Sequence, residues 1–282
     1  MTPADFELLC RLLKDRSGLM LAADKAYLIE SRLLPVVRRR NMKSLDDLVA
    51  ALRNRPEEEM VRDIVEAMTT NESSFFRDLK PFEQFRDFVL PQIMKARAST
   101  RTMRIWSAAC SSGQEPYTIA MILNEEKDAL AGWQVEIIAT DLSTEILEKA
   151  QAGVYSQFEV QRGLPIQLLV KYFRQEGERW RIDPAIRNMV RYRCLNLLED
   201  FSPLGQFDVI FCRNVLIYFD QPTKTMVLDR LAQLLPPDGF LFLGGAETII
   251  GISDKLQSPA DQRGVYTPVL SASAMAKRLA AR

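Results

Sequence analysis

The chain has 282 residues, 47% of them hydrophobic, with 37 basic and 37 acidic side chains and no histidine. That content excludes a disordered chain, and balanced charge leaves no overall field to recruit a nucleic acid or an acidic lipid surface. Without histidine, Ser-His and Cys-His nucleophilic catalysis and the usual His-based metal sites drop out, and what remains is chemistry that needs no imidazole.

From Thr2 to about Met68 apolar residues recur at helical spacing. They make faces of Phe6, Leu9, Leu12 and Leu13; of Tyr27, Leu28, Leu33 and Leu34; of Leu45, Leu48, Val49 and Leu52; and of Met60, Ile64, Val65 and Met68. Breaks are expected at Ser17-Gly18, at Asn41 to Ser44 and at Asn54 to Pro56, and Ser44 followed by Asp46 and Asp47 suits a helix start. No apolar run approaches the roughly 20 residues that cross a bilayer, and charges interrupt the N-terminal pattern where a signal peptide would be continuous, so the cytoplasm is the expected location. Cys10, Cys110, Cys194 and Cys212 are widely spaced and form no CxxC, which fits reduced thiols.

Beyond Thr69 short β-rich runs alternate with helical ones, the pattern of βαβ units and a largely parallel sheet. Strands are expected at Met103 to Ala108, Val135 to Ala139, Phe207 to Cys212 and Phe240 to Gly244, and helices near Pro116 to Lys127, Thr144 to Ala150 and Thr223 to Leu235. Tyr155 to Cys194 interrupts this alternation and reads as an inserted subdomain carrying strands at Arg179 to Ile182 and Met189 to Arg193. Gly264 to Val269 reads as a final edge strand that tolerates Pro268, and a loose tail is expected after about Ser271.

Polar residues placed at strand ends carry the chemistry, because ligands of open α/β sheets bind there. FDVIFCRN reads as a buried strand running into Arg213 and Asn214, which are either a ligand site or part of an ordinary β-to-α loop. After the first strand, CSSGQEP supplies a small-residue loop whose Gly113 lets a ligand approach the backbone ahead of a helix N-terminus. Asp141, at the end of EIIATD, either accepts the hydroxyls of a ribose or caps the next helix; with the glycine loop upstream, ribose binding is preferred. Asn196 is a candidate for an adenine edge with Leu197 over the ring face, or a turn residue. In TTNESSFFRD, Arg77 can clamp a carboxylate through two parallel donors, or be a plain surface arginine.

TTNESSFFRD, RIWSAACSSGQEPY, ATDLSTEILEKAQAGVY, CRNVLIYFD and LLPPDGFLFLGGAE, in that order from Thr69 to Glu247, resemble the CheR-type chemoreceptor methyltransferases. The resemblance implies an α/β fold, the Rossmann-like, mostly parallel sheet of S-adenosylmethionine-dependent methyltransferases, with an all-α N-terminal domain (1–72) and a catalytic domain (73–282) that holds a small inserted β-subdomain at about 155–195. By motif position it implies cofactor contacts from Asn71, Ser73, Arg77, Glu115, Asp141, Asn196, Leu197, Asn214 and Val215, and Tyr218 near the methyl-transfer point. Arg77 and Tyr218 are the residues expected to serve the reaction itself. Ser73 stands where the pattern has Thr, and Gln114 where it often has Glu.

The implied activity is methyl transfer from S-adenosylmethionine to receptor glutamate carboxylates, with S-adenosylhomocysteine as product and no metal. The implied partner is the helical cytoplasmic domain of methyl-accepting chemoreceptors; Arg32, Arg38, Arg39, Arg40 and Lys43 are either a basic face that meets it or a solvated helix end. No nucleic acid or membrane insertion is expected, and the enzyme is expected to be monomeric. Some members also bind a receptor C-terminal peptide through the β-subdomain; the compact RQEGERWR connection favours a member without that tether. Two alternatives stand beside this reading. One is methylation of another substrate such as a nucleic-acid or small-molecule nitrogen, although RNVLIYF replaces the Asn/Asp-Pro-Pro-aromatic motif common there. The other is a non-catalytic module that senses S-adenosylmethionine.

Overall fold

A computed structural model describes residues 1–269, and the tail expected after Ser271 lies outside the described residues. Four helices open the chain: α1 (Pro3–Ser17), α2 (Ala26–Arg39), α3 (Leu45–Asn54) and α4 (Glu58–Met68). Their ends follow local chemistry. Thr2 and Asp5 form a reciprocal cap on α1, Gly18 ends that helix at φ 74°, and Ser44 with Asp47 caps α3 in the same reciprocal way.

Leu9, Leu13, Ile29, Leu33, Leu48 and Ile64 pack into one core between these helices. Tyr27 and Leu34, expected on the buried face of α2, are instead exposed, at 66% and 41%. The buried stripe is Ile29, Leu33, Val36 and Val37, at the i, i+4, i+7, i+8 spacing of one helix face, so the helix is rotated from the expected register.

A short helix α5 (Lys80–Gln84) runs through a π turn into α6 (Leu90–Ala96), which leads to the sheet. The strands are β1 (Thr102–Ala108), β2 (Gln134–Asp141), β3 (Val154–Ser156), β4 (Phe173–Glu176), β5 (Arg179–Ile182), β6 (Val190–Cys194), β7 (Val209–Cys212), β8 (Phe240–Leu243), β9 (Leu256–Gln257) and β10 (Val265–Pro268). Helices α7 (Gln114–Glu125), α8 (Thr144–Ala152), α9 (Gln157–Gln161), α10 (Ile166–Tyr172), α11 (Pro184–Arg187) and α12 (Gln221–Leu234) complete the chain.

Seven strands form one sheet in the order β6-β2-β1-β7-β8-β10-β9. The first five are parallel, while β10 is antiparallel to both β8 and β9. Side chains alternate across the pleat. Ile105, Phe211 and Phe242 therefore face one core with Phe85, and Trp106, Ile210 and Leu241 face another with Phe207. Phe211 and Phe242 stack with ring centroids 4.4 Å apart.

Two expectations change. The strand assigned to the insert at Met189 to Arg193 is β6, which pairs in parallel with β2 on the main sheet, because its Val190 joins the main core. What remains as an insert is the antiparallel trio β3-β5-β4 with its small helices. Nor is β10 an edge: β9 lies outside it, and Pro268, which has no N–H to give, sits opposite Leu256 at the end of that short pairing.

The chain runs outward from β1 through β2 to β6, then returns to β7 on the other side of β1. That reversal opens a crevice at the carboxyl ends of β1 and β7, the switch point where open sheets hold ligands. The helical domain lies against it. Glu66 of α4 accepts from Ser143 and Thr144 at the start of α8, at 3.0 and 2.9 Å, and Lys14 of α1 pairs with Asp220 at 2.8 Å. The Lys14 ammonium holds the Asp220 carboxyl down at about 2.

Candidate functional site

A cleft of about 980 Å³, counted to its open mouth, lies over this switch point. All ten residues nominated by the family resemblance line it: Asn71, Ser73 and Arg77 from the segment before α5, Glu115 from α7, Asp141 from β2, Asn196 and Leu197 after β6, and Asn214, Val215 and Tyr218 after β7. Ser17 and Leu19 close one side from the helical domain.

The segment before α5 turns sharply. Phe76, Asp78 and Leu79 have φ of 49°, 67° and 45°, a left-handed backbone that strains side-chain-bearing residues. Phe75 anchors it by packing edge-on against Tyr155, 5.0 Å between centroids, and the Phe76 amide donates to Thr118 at 3.2 Å. Arg77 donates through Nη1 to the Glu72 carbonyl at 2.9 Å, and its guanidinium keeps other donors for a ligand.

The loop after β1 lines the cleft with Ala109, Cys110 and Ser111. Gly113 does not line it, contrary to the expectation that this glycine opens the backbone to a ligand. A Cβ there would lie 2.8 Å from the Tyr192 hydroxyl and 3.0 Å from Ala150, at φ 91°, so the glycine serves the packing of the loop.

Asp141 is the last residue of β2 and is buried, at 7% exposure. Its Oδ2 accepts from the Ser111 amide at 2.8 Å and its Oδ1 from the Ser143 amide at 3.1 Å. Burial raises its pKa, and those amide hydrogen bonds oppose the rise. A carboxylate has about four acceptor positions, so two remain for a ligand. The next helix, α8, is capped by Ser143 and not by Asp141, the Ser143 hydroxyl accepting from the Ile146 amide.

Asn196 is already engaged. Its Nδ2 donates to the Arg16 carbonyl at 2.7 Å and its Oδ1 accepts from Leu198 at 3.0 Å, tying the helical domain to the cleft wall. One donor and one acceptor position of the amide are left. Leu197 is buried beside it.

Arg213, one of the residues that draw the eye in the sequence, is a brace. Its side chain is 1% exposed and pairs with Glu115 and with Asp78, each at 2.9 Å, while Nη2 also donates to the Arg77 carbonyl at 2.8 Å. It thereby joins the strained turn to the sheet. Glu115 also accepts from Ser107 at 2.8 Å; burial raises its pKa, and Arg213 pulls it back. The Arg213 Nε is buried and has no acceptor among the described residues.

An open sheet with a carboxylate ending its second strand, a small-residue loop after its first and a cleft at the reversal define a nucleoside-binding α/β domain of the S-adenosylmethionine-dependent methyltransferase class. Residues 71–265 match the family described as CheR methyltransferase, SAM binding domain, and residues 4–69 match CheR methyltransferase, all-alpha domain. The chain is 45% identical over 260 residues to chemotaxis protein methyltransferase 1 of Pseudomonas aeruginosa, covering 90% of this chain and 93% of that one. It is 41% identical over 257 residues to chemotaxis protein methyltransferase Cher2 of Pseudomonas putida, with coverage of 90% and 93%. The chain belongs to the CheR methyltransferase family, and it is an S-adenosylmethionine-dependent methyltransferase.

The donor set of the cleft fits that cofactor. Asp141 keeps two acceptor positions for a diol, Arg77 keeps donors for an α-carboxylate, Leu142 and Leu197 give apolar walls for a base, and the orphaned Nε of Arg213 lies in the same wall. Among the described residues no helix is long and apolar enough to cross a membrane, and no group of three or more metal-ligating side chains comes together.

Proposed function

We propose that this chain transfers methyl groups from S-adenosylmethionine to glutamate side-chain carboxylates of bacterial chemoreceptors, in chemotactic adaptation or a related chemosensory pathway. The observation that carries the reading is the convergence of residues from five separate segments, Asn71 to Tyr218, on one cleft of a chain in the CheR family. The cofactor, when bound, supplies an electrophilic methyl group on a sulfonium sulfur. Asp141 receives the ribose hydroxyls, Arg77 pairs with the methionine carboxylate, and Asn196 and Leu197 contact the adenine. Asn71, Ser73, Glu115, Asn214 and Val215 complete the contacts.

A glutamate has a pKa of about 4.3, so near neutral pH the nucleophile is already ionised and needs no general base. The work left to the protein is alignment of carboxylate oxygen, methyl carbon and sulfur. Tyr218, half-buried at the cleft, orients the incoming carboxylate through its hydroxyl. Buried Asp141, Leu197 and Cys110 keep that region partly dry. A dry site favours a step in which a cation and an anion neutralise each other.

On the surface, Arg38, Arg39 and Lys43 are exposed, whereas Arg40 is taken by Asp63 at 2.7 Å and Arg32 by the carbonyls of Met68 and Thr69 at 2.7 and 3.1 Å. The basic face offered to an acidic receptor helix therefore reduces to Arg38, Arg39 and Lys43, with exposed Tyr27 and Leu34 on the same helix as the first two. Within this reading residues 1–72 dock the receptor, 73–282 carry the reaction, and the enzyme acts in the cytoplasm as a monomer.

Labelled S-adenosylmethionine and a receptor cytoplasmic fragment test the proposal. Label should enter the receptor and be released by mild base, as a methyl ester is; base-stable label would mean N-methylation, and no label would sink the reading. Tyr218→Phe should lower turnover by about tenfold, the loss of one hydrogen bond to a charged group, while affinity for S-adenosylhomocysteine stays near wild type. Normal turnover in that variant would remove Tyr218 from the reaction.

A further inference from the structure

Glu247 lies four residues past the end of β8, closing the LLPPDGFLFLGGAE motif but not among the residues nominated for the site, yet it holds the loop that carries Asn214, Val215 and Tyr218. Its Oε2 accepts from the backbone amides of Asn214 at 2.8 Å and Gly244 at 2.6 Å, and its Oε1 from those of Val215 at 2.9 Å and Leu216 at 2.7 Å. One carboxylate thus gathers four N–H donors, three of them consecutive in the loop after β7. Charge-assisted bonds of this kind are about twice as strong as neutral ones.

The loop needs such a hold. Asn214 sits at φ 60°, and the next residues close a single 3₁₀ turn over Leu216–Tyr218. A turn that short has little stability of its own. Gly244 completes the arrangement, because a Cβ there would lie 2.8 Å from the Asn214 amide nitrogen Nδ2, 2.9 Å from its backbone nitrogen and 2.8 Å from the Glu247 carboxylate. On the far side of the loop, the Tyr218 carbonyl accepts from the Met20 amide at 2.8 Å, so the turn is fastened at both ends.

We infer that Glu247 is a positioning residue for methyl transfer: by binding the amides of residues 214–216 it sets the backbone from which Tyr218 reaches the cleft. The inference rests on the role given to Tyr218 above. Glu247→Gln is the informative variant, since it keeps size and shape but turns one acceptor oxygen into an NH₂ group facing two N–H donors. Amide hydrogen exchange on the full-length protein should then quicken over residues 214–218 and little elsewhere, a readout that needs no receptor.

Against a receptor fragment that the wild type methylates, Glu247→Gln should lower kcat by at least about tenfold, a larger factor than the loss of affinity for S-adenosylhomocysteine that loosening Asn214 and Val215 brings. In a Tyr218→Phe background the same change should cost far less, because both act on one group. Gly244→Ala, which presses on the same atoms, should reproduce the exchange and kcat effects should Glu247→Gln fold poorly. Unchanged exchange over 214–218 would overturn the inference, as would a kcat loss that is fully retained in the Tyr218→Phe background. If Tyr218→Phe alone keeps full turnover, the role of Tyr218 fails, and exchange over 214–218 still decides whether Glu247 holds the loop.

Discussion

Replacing Arg213 by methionine is expected to cost about 3–5 kcal/mol of folding stability, the range for breaking a buried ion pair by removing one partner. The cost comes mainly from Glu115. That carboxylate is buried, and without Arg213 it keeps, among the described residues, only the Ser107 hydroxyl at 2.8 Å as a partner. Asp78 is half exposed, so water takes over most of what Arg213 gave it. The strained turn at 76–79 also loses its link to the sheet through the Arg77 carbonyl.

The same variant carries a pH signature. Burial already lifts Glu115 above its ordinary 4.5, with Arg213 opposing that rise. Without Arg213 the folded-state pKa rises further, and the folded protein binds a proton that the unfolded chain does not. Stability of the variant therefore falls as pH rises through the window above 4.5, and the deficit shrinks on acidification toward 4.5. Urea unfolding of wild type and variant at mildly acidic and mildly alkaline pH measures this. Adding Glu115→Gln should restore part of the loss at alkaline pH, and a deficit independent of pH would show that Glu115 is not its source.

Isothermal titration of Asp141→Ala with S-adenosylhomocysteine is expected to show affinity reduced at least about tenfold, or about 1.4 kcal/mol. Both carboxylate oxygens hold backbone amides and still have room for one hydroxyl each. Hydrogen bonds to a charged group contribute roughly 1.5–3 kcal/mol apiece, so two ribose hydroxyls can exceed the tenfold floor. Asp141→Asn separates two contributions: it keeps one oxygen for a backbone amide but cannot accept both hydroxyls, and it should lie between alanine and wild type. Unchanged affinity in Asp141→Ala would remove this residue from the cofactor site.

Much of the site was legible because its parts are local. Asp141 and Asn214 follow runs of β-prone residues, and polar side chains at strand ends are visible without knowing which strands are neighbours. The role of Gly113 was not legible. Gly113 reads as an opening for a ligand, and only the packing of Tyr192 and Ala150 against it reveals a different use. Arg213 reads from the sequence as a ligand contact or a brace of its loop, and only Glu115, 98 residues away, fixes it as the brace. Glu247 stands at the end of the LLPPDGFLFLGGAE motif but gave no sign of its role, since its partners are backbone amides that any sequence would present.

Hydrophobic period, caps and strand-end polarity, all read over a few residues, by themselves determined the helical opening, the α/β order that follows and the candidate residues at the strand ends. Tertiary structure alone decided which strand ends meet, that β6 joins the main sheet beside β2, which face of α2 is buried, and how Arg213 and Glu247 fasten the loops around the cleft. The physical reason is range. Periodicity and capping act within one or two turns of the chain, whereas parallel strand pairing and buried ion pairs join residues separated by whole crossovers, and their partners are chosen by packing.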